Sequence, residues 1–356
     1  GADLITFGEV ILPGYPWWNY WSHTFDIASN LEIYYNYVRN TPQIGTGDLE
    51  PLFQCVAKAN VNVVLPLAER DNLGSQAVIM NSAIFIDKTG KLLARHRKNL
   101  PSHTERFWWG NGDGTDYVVV DMPDVGRVCA LLCWETYVQM ARYTLLQKGC
   151  EFLMMTTADF GGVWDHHASS VAREGSWYTI ALGHLFAPYG QRILSTNISK
   201  VQGSFSNNWT KFMQADFDTM REKNKMPDIK YFHDGGGSIS RPDGKYLVSP
   251  AHSNFAATVE AVKQGCKQDW DEDPDATHCI HVPVPGYNAD EEFVAIATAT
   301  RGAVQQQRKT PESVGNELCS DVWSVGWVDK PRGILFQDKY GPPTFADNGL
   351  PELQKR

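Results

Sequence analysis

Short apolar runs alternate with longer amphipathic stretches through the first 190 residues of the chain. Short apolar runs bounded by turn-forming residues are typical of buried β-strands, whereas apolar residues spaced three or four positions apart are typical of helices. The alternation predicts an α/β protein with buried sheets. The predicted strands are 4–7, 60–67, 77–86, 91–95, 117–121, 127–132 and 151–156, the predicted helices are 49–59 and 138–148, and 169–181 begins as helix and passes into strand.

The pattern changes after the first half of the chain. Residues 195–232 are mostly polar and charged, which predicts a surface insertion, and a glycine run at 235–237 then opens a predicted β-hairpin with its turn at 241–244. Beyond residue 331 the chain is rich in proline, glycine and charge, so we expect it to be extended. The predicted division is a domain of residues 1–292 and a C-terminal segment of residues 293–356.

Charge and cysteine content limit the classes of partner. The formal net charge is −9, whereas nucleic-acid-binding proteins usually present a basic face, so we expect no nucleic-acid partner. No apolar run approaches the length of a membrane span, and the chain does not start with a signal peptide pattern, so we expect no membrane partner. The seven cysteines are scattered and never form a CxxC pair. This pattern favours reduced thiols and a cytoplasmic location.

Three apolar strands lead to a side chain that can take part in catalysis. Glu9 follows the first strand, where desolvation would raise the pKa of a carboxyl group and suit it to act as a general base. Lys98 lies in a basic turn before an aromatic, glycine-rich loop, and Cys133 closes a strand where helix amides can stabilise a thiolate. Taken singly, each also fits an ordinary role: a surface glutamate, a solvated basic turn and an inert buried cysteine.

Taken together, these segments resemble the nitrilase superfamily of carbon–nitrogen hydrolases. The order Glu, Lys, Cys is that of the family, and Cys133-Trp134-Glu135 is similar to the true nitrilase branch rather than the amidase or carbamoylase branches. The resemblance covers roughly residues 1–195 and 232–250. It also rests on 13–18 (Pro-Gly-Tyr-Pro-Trp-Trp), 97–98 (Arg-Lys), 101–102 (Pro-Ser), 105–106 (Glu-Arg), 109–114 (Trp-Gly-Asn-Gly-Asp-Gly), 172–175 (Ala-Arg-Glu-Gly), 236–238 (Gly-Gly-Ser) and 242–244 (Pro-Asp-Gly).

The resemblance implies a four-layer α-β-β-α sandwich and a cysteine-dependent reaction. A nitrile would be hydrolysed to a carboxylic acid and ammonia through a covalent thioimidate on Cys133. Glu9 would act as the base, and Lys98, with the backbone N–H of Trp134, would stabilise charge on the substrate nitrogen. Glu105 would match the family's second glutamate, which orients the lysine and a water molecule.

The aromatic residues near these segments are candidates for substrate binding. We expect Tyr15, Trp18, Trp109 and Trp134 to line the pocket, although aromatic rings equally often belong to a core or a subunit interface. No cofactor is expected. A metal is not expected either, because the adjacent pair His166-His167 lacks a third ligand at a recognised spacing.

Two alternatives to nitrile hydrolysis stay open. An amidase or carbamoyl hydrolase of the same superfamily would use the same residues, and a non-catalytic assembly protein is a more remote alternative. The resemblance also implies a homodimer or a larger homo-oligomer such as a spiral or filament. Its helices at 138–148 and 169–177, with Tyr143, would form the dimer face, and the tail after Val322 would cross to a neighbouring subunit.

The chain departs from the family pattern at several positions. Gly8 stands where the family usually has proline, Val138-Gln139-Met140 replaces a stretch that usually contains proline, and 158–167 is unlike the usual segment. The family's first strand is missing ahead of the strand at 4–7. We predict that residues 293–300, which are apolar and β-prone, pair beside residues 4–7 as in a circular permutation. The alternative is that 293–300 is a peripheral strand or tail and that the first strand was lost or comes from another chain.

Overall fold

A computed structural model describes residues 2–16, 27–73, 76–158, 162–186, 233–251, 280–283 and 293–308. The strands are β1 (Leu4–Thr6), β2 (Asn62–Leu73), β3 (Gln76–Ile86), β4 (Leu92–Arg97), β5 (Val120–Met122), β6 (Gly126–Leu132), β7 (Phe152–Thr157), β8 (Tyr178–Phe186), β9 (His233–Ser240), β10 (Tyr246–Ala251), β11 (Ile280–Pro283) and β12 (Phe293–Ile296). The helices are α1 (Ile27–Asn40), α2 (Glu50–Ala59), α3 (Gln139–Gln147), α4 (Gly162–Gly175) and α5 (Arg301–Arg308), with 3-10 helices at His103–Phe107 and Cys133–Tyr137.

Two larger sheets organise the described part of the chain. The four-stranded sheet has the order β1-β2-β3-β4, in which β1 runs parallel to β2 and the other neighbours are antiparallel. The six-stranded sheet has the order β10-β9-β8-β7-β6-β5, with β6, β7 and β8 mutually parallel. The parallel strands bring their carboxyl ends to one edge of this sheet, which is where ligands usually bind in α/β proteins.

The two sheets pack face to face, and helices cover their outer faces. Val64 and Phe85 of the four-stranded sheet pack against residues of the six-stranded sheet that include Ala130 and Met154. Neighbouring strand residues point to opposite faces, so alternate positions contact the helices. On the outer faces, α2 covers residues that include Leu65 and Ile84, and α3 and α4 cover residues that include Leu131, Leu153 and Met155. The predicted α-β-β-α sandwich is therefore confirmed.

Most predicted elements overlap observed ones, but helix α1 was not predicted, α4 begins seven residues before the predicted start at 169, and β8 ends five residues after the predicted end at 181. Strand β2 continues to Leu73, six residues beyond its predicted end at residue 67. Charged residues broke the apolar pattern there, but Glu69 and Asp71 form ion pairs with Arg95 and Arg97 two strands away on β4. The charged end of β2 is therefore stabilised by ion pairs with residues that are distant in sequence.

The predicted pairing of 293–300 with 4–7 is wrong. Strand β12 pairs antiparallel with β11 in a separate two-stranded sheet, and in the described residues β1 pairs with β2. An apolar, β-prone pattern predicts that a segment is a strand but not which strand it joins. After β12, helix α5 docks on the six-stranded sheet, where Val304 is buried and Arg301 pairs with Glu151 at 2.9 Å. The predicted insertion at 195–232 and the tail after 331 lie outside the described residues.

The prediction of reduced thiols is also wrong for two cysteines. Cys129 in β6 and Cys150 just before β7 form a disulfide, with their Cα atoms 6.1 Å apart. The pairing was hidden because the partners are 21 residues apart and meet only through the parallel alignment of neighbouring strands. The thiol argument for a cytoplasmic location therefore loses its basis. Within the described residues, Cys55 and Cys133 are free, and no helix is long and apolar enough to cross a membrane.

Candidate active site

The three sequence-predicted catalytic residues lie together where three strands end. Glu9 follows β1, Lys98 follows β4 and Cys133 follows β6, and all three side chains are buried. One carboxylate oxygen each of Glu9 and Glu105 and the sulfur of Cys133 lie within 4.8 Å of one another. The three catalytic candidates and Glu105 therefore form one cluster, although they come from opposite sheets of the sandwich.

The Glu9 carboxylate is held by three donors. Its Oε1 accepts hydrogen bonds from Lys98 Nζ at 2.8 Å and from Asn81 Nδ2 at 2.7 Å. Its Oε2 accepts one from the backbone N–H of Ala158 at 2.8 Å. No sequence pattern pointed to Asn81, because it lies inside β3 and belongs to no motif. These contacts fix the plane of the carboxylate next to the thiol.

Lys98 joins the two glutamates of the cluster. Its ammonium group donates to Glu9 Oε1 and to Glu105 Oε2, each at 2.8 Å. The second glutamate is oriented in turn by the Tyr15 hydroxyl, which donates to Glu105 Oε1 at 2.7 Å, and by the Ser102 N–H, which donates to Oε2 at 2.6 Å. Within the described residues, Glu9, Glu105 and Cys133 are also the group of possible metal ligands whose ligand atoms lie close enough to share an ion. The Lys98 ammonium, however, already neutralises one negative charge there.

Cys133 occupies a strained turn between β6 and a 3-10 helix. Its backbone φ of 54° lies in the left-handed region, which residues other than glycine rarely adopt. Such strain often accompanies functional sites. The Thr157 hydroxyl donates to the cysteine sulfur at 3.3 Å, and the Thr136 hydroxyl donates to the cysteine carbonyl at 2.9 Å. The turn therefore aims the sulfur at the glutamate cluster.

The protonation of the cluster follows from burial and charge. Burial raises the pKa of Glu9, an effect that Lys98 opposes and the charge of Glu105 reinforces. The pKa of Lys98 is raised because the charges of Glu105 and Glu9 outweigh the effect of burial. Burial, together with the charge of Glu9, also raises the pKa of Cys133. At rest the lysine is thus a cation and the cysteine a thiol, with a strengthened base beside it.

A second buried ion group supports the cysteine turn from another side. Glu135 accepts a hydrogen bond from His96 Nε2 at 2.8 Å, and His96 Nδ1 contacts Asp116 on the opposite side of the ring. In the sequence, Glu135 stood out only as part of the Cys-Trp-Glu motif, and His96 did not stand out. A histidine two positions before Lys98 inside a strand gives no periodic signal, so only the fold reveals this pair.

The predicted substrate-binding residues differ in their placement. Tyr15 and Trp109 are buried and pack edge to face, with ring centroids 5.5 Å apart. Trp134 is 56% exposed, contacts His103 edge to face, and lies near Tyr137. Trp18 lies outside the described residues. Tyr15 thus orients Glu105, Trp109 belongs to the core, and Trp134 is the one of the described three that is exposed.

The exposed ring of Trp134 is part of a larger aromatic surface beside Cys133. Tyr137 is 40% exposed and stacks on His167 with ring centroids 4.0 Å apart, and Trp164 contacts both rings. Burial, with the charge of Arg142, lowers the pKa of His167 to about 4. The His167 ring in this aromatic surface is therefore neutral at neutral pH, and its Nε2 forms a hydrogen bond with the Thr136 hydroxyl.

The departure at Gly8 has a local cause. A Cβ atom at this position would lie 3.0 Å from the ring of His184 in β8. The same ring contacts the carbonyl oxygen of Glu9 through Nε2. A larger residue at Gly8 would displace the histidine, so the two positions are coupled through packing beside the base.

Sequence comparisons place the chain in a family. The sequence model of the carbon-nitrogen hydrolase family matches residues 1–205, which is more than half of the chain. The chain therefore belongs to the carbon-nitrogen hydrolase family, and the resemblance to the nitrilase superfamily is confirmed.

Several curated relatives carry nitrilase names. The chain is 33% identical over 174 residues to nitrilase 2 of an unknown prokaryotic organism, covering 48% of this chain and 51% of that protein. It is 29% identical over 187 residues to nitrilase 3 of Arabidopsis thaliana, covering 51% of each. An arylacetonitrilase of Aspergillus niger is 28% identical over 264 residues, which cover 73% of this chain and 70% of that protein. The chain spans about half the length of the first two relatives.

The chain also resembles solved structures over part of its length. A carbon-nitrogen hydrolase from Helicobacter pylori G27 matches with a TM-score of 0.45 at 17% identity, covering 70% of this chain and 73% of that one.

Proposed function

We propose that this protein hydrolyses a nitrile to a carboxylic acid and ammonia through a covalent intermediate on Cys133. The observation that carries the proposal is the buried cluster in which Glu9, Glu105 and the Cys133 sulfur lie within 4.8 Å of one another around the Lys98 ammonium. A base, a cation and a nucleophile in contact are the parts that acyl and imidoyl transfer require.

The reaction begins with proton transfer from the thiol to Glu9. The raised pKa of Glu9 makes it a stronger base than an exposed glutamate. The sulfur then attacks the nitrile carbon, a carbon–sulfur bond forms, and one π bond of the nitrile becomes a lone pair on nitrogen. That nitrogen takes the proton from Glu9, which leaves a neutral thioimidate and a regenerated carboxylate.

Two water molecules complete the cycle. Glu9 removes a proton from the first water as its oxygen attacks the thioimidate carbon and passes that proton to the nitrogen. The carbon–nitrogen bond then breaks as Glu9 transfers the remaining hydroxyl proton to the nitrogen, which releases ammonia and leaves a thioester. Glu9 removes a proton from a second water as it attacks the thioester, and the carbon–sulfur bond breaks as Glu9 returns that proton to the sulfur, which releases the acid and restores the thiol. Lys98 stabilises negative charge on the substrate at each addition, together with the N–H of Trp134, and Glu105 holds the lysine in place.

The exposed aromatic surface favours a substrate with an apolar or aromatic substituent. Trp134 and Tyr137 present large rings beside the nucleophile, and aromatic pairs add about 0.5–1.5 kcal/mol beyond the area that they bury. An amide is the second candidate, because the same cluster can form a thioester directly from an amide. The nitrilase names of the relatives favour the nitrile.

A panel of nitriles and amides tests the proposal. The full chain should release ammonia from at least one nitrile, and Cys133→Ala should abolish the release while keeping the melting temperature, since it removes the nucleophile without adding volume. Ammonia release from amides alone would assign the second candidate. Release from neither, with a Cys133 that iodoacetamide does not label, would support the non-catalytic alternative and contradict the proposal.

We also propose that the protein is a homodimer or a larger homo-oligomer. Helix α3 begins beside two exposed apolar residues, Val138 at 48% and Met140 at 45% exposure, and it lies next to α4. A second copy that packs on these helices would cover them. Light scattering at micromolar concentration should give at least twice the chain mass of 39.9 kDa, and a monomer would contradict this assembly.

A further inference from the structure

Glu135 connects the segments that carry Lys98 and Cys133. Its Oε1 accepts hydrogen bonds from the Asn99 N–H at 2.9 Å and the Tyr117 hydroxyl at 3.0 Å. Its Oε2 accepts them from His96 Nε2 at 2.8 Å and the Leu132 N–H at 3.1 Å. One donor therefore directly follows the lysine, and another directly precedes the cysteine.

His96 completes the connection from the four-stranded sheet. It lies in β4, two residues before Lys98, and its side chain is almost fully buried. One ring nitrogen faces Glu135, and the other faces the carbonyl and carboxylate oxygens of Asp116 at 3.0 and 3.1 Å. Acceptors on both sides of an imidazole require both nitrogens to carry hydrogen, so the geometry selects the cation.

The charges of the surroundings agree with this protonation. Burial alone would lower the pKa of His96, but the charges of Glu135 and Asp116 outweigh it and raise the pKa to about 10. The pKa of Glu135 is lowered although burial opposes this, because His96 and the N–H donors stabilise the carboxylate. Asp116 also accepts from the Arg97 N–H, and the Tyr117 ring packs 5.0 Å from the imidazole.

We propose that the His96–Glu135 ion pair is a positioning element that fixes the separation between Lys98 and Cys133. This inference rests on the proposed function and gives neither residue a contact with the substrate. The pair joins the two sheets at the point where the four-stranded sheet positions Lys98 and the six-stranded sheet positions Cys133. Loss of the pair should therefore shift the two catalytic groups relative to each other, and a displacement of about 1 Å can cost about 10²-fold in rate.

The variant Glu135→Gln tests the proposal in the full chain. Both carboxylate oxygens accept two donors, so the NH₂ group of a glutamine would meet N–H or O–H donors wherever it pointed. We expect kcat to fall about 10²-fold with KM changed by less than about threefold. The rate of Cys133 alkylation by iodoacetamide should fall as well, measured by peptide mass against the exposed Cys55 as an internal reference.

Histidine variants keep the test informative if Glu135→Gln does not fold. A glutamine at position 96 can still donate to Glu135, whereas an alanine cannot, so kcat should decrease in the order wild type, His96→Gln, His96→Ala at nearly constant KM. Equal kcat values for the two variants, at any level, would show that the donor to Glu135 does not matter and would overturn the proposal.

Glu151→Gln is the matched control. Glu151 is also a buried carboxylate on the six-stranded sheet, where it accepts from the Arg127 N–H and from Arg301 Nε, but it precedes β7 at the end opposite to Thr157. Its loss should lower the melting temperature without changing kcat or Cys133 alkylation. If Glu135→Gln behaved in the same way, the pair would be structural only and the proposal would be wrong. An inactive wild type whose Cys133 reacts no faster than Cys55 would instead contradict the proposed function.

Discussion

Two of the buried carboxylates near Cys133, those of Glu9 and Glu135, change their proton affinities in opposite directions. The pKa of Glu9 is raised, whereas the pKa of Glu135 is lowered. Both side chains are almost fully excluded from solvent, and both are bonded to a cation. Burial by itself therefore does not decide which carboxylate can act as a base.

The difference comes from the number of donors and from the nearest like charge. Glu135 accepts four hydrogen bonds, two of them from backbone N–H groups and one from His96, a cation that it shares with Asp116. Glu9 accepts three and shares Lys98 with Glu105, whose negative charge lies nearby. Because donors favour the ionised form of a carboxyl group and a like charge disfavours it, Glu135 stays ionised and Glu9 gains affinity for a proton.

Of the two carboxylates, Glu9 should have the larger effect on turnover. Glu9→Gln should lower kcat by about 10²- to 10⁴-fold, because it removes the base from both the attack and the hydrolysis steps. The melting temperature should fall less than in Glu135→Gln, because Lys98 keeps its ion pair with Glu105 and the repulsion between Glu9 and Glu105 is removed. Ammonia release and thermal unfolding measure the two quantities.

Lys98→Ala combined with Glu9→Gln sharpens this result. Members of one catalytic unit fail together, so the double variant should be no slower than the worse single variant by more than about tenfold. Fully additive losses would show that the two residues act independently.

Glu135→Gln should cost about 3–5 kcal/mol of stability, because it breaks a buried ion pair from one side.

The pH dependence of stability tests whether the partner of Glu135, His96, is a cation. The expected change in stability is smaller than the effects above. His96 has its pKa raised from 6.5 to about 10, so its contribution to stability is fully present below pH 6.5 and is lost as the pH rises towards 10. The difference in melting temperature between the wild type and His96→Gln should therefore shrink across this range. A difference that stayed constant up to pH 10 would contradict a cationic His96.

A substitution in β6, the strand that leads to Cys133, should have the smallest effect on turnover. Cys129→Ser breaks the disulfide with Cys150, which should cost about 2–4 kcal/mol of stability. Cys129 lies four residues before Cys133 and contacts the helix-covered core rather than either ion group, so kcat should be nearly unchanged. A loss as large as that of Cys133→Ala would mean that the wrong cysteine was assigned as the nucleophile.

Local patterns were sufficient for most of the described strands and helices and for the main members of the cluster. A reactive side chain directly after an apolar strand is visible in a short window, as Glu9, Lys98 and Cys133 show. Asn81 and His96 were missed because each lies inside a strand among apolar and basic neighbours. Their importance depends on side chains 72 and 39 residues away, which no local pattern reports.

The amino-acid sequence by itself determined where the chain forms strands and which residues stand at their ends, because backbone periodicity and turn chemistry act over a few residues. The tertiary structure alone decided which segments became neighbours. It paired 293–296 with 280–283 instead of 4–6, joined Cys129 to Cys150, and gave Glu135 four hydrogen-bond donors while it placed Glu9 beside Glu105. Pairing and proton affinity depend on contacts between residues distant in sequence, and only the packed sandwich brings those residues together.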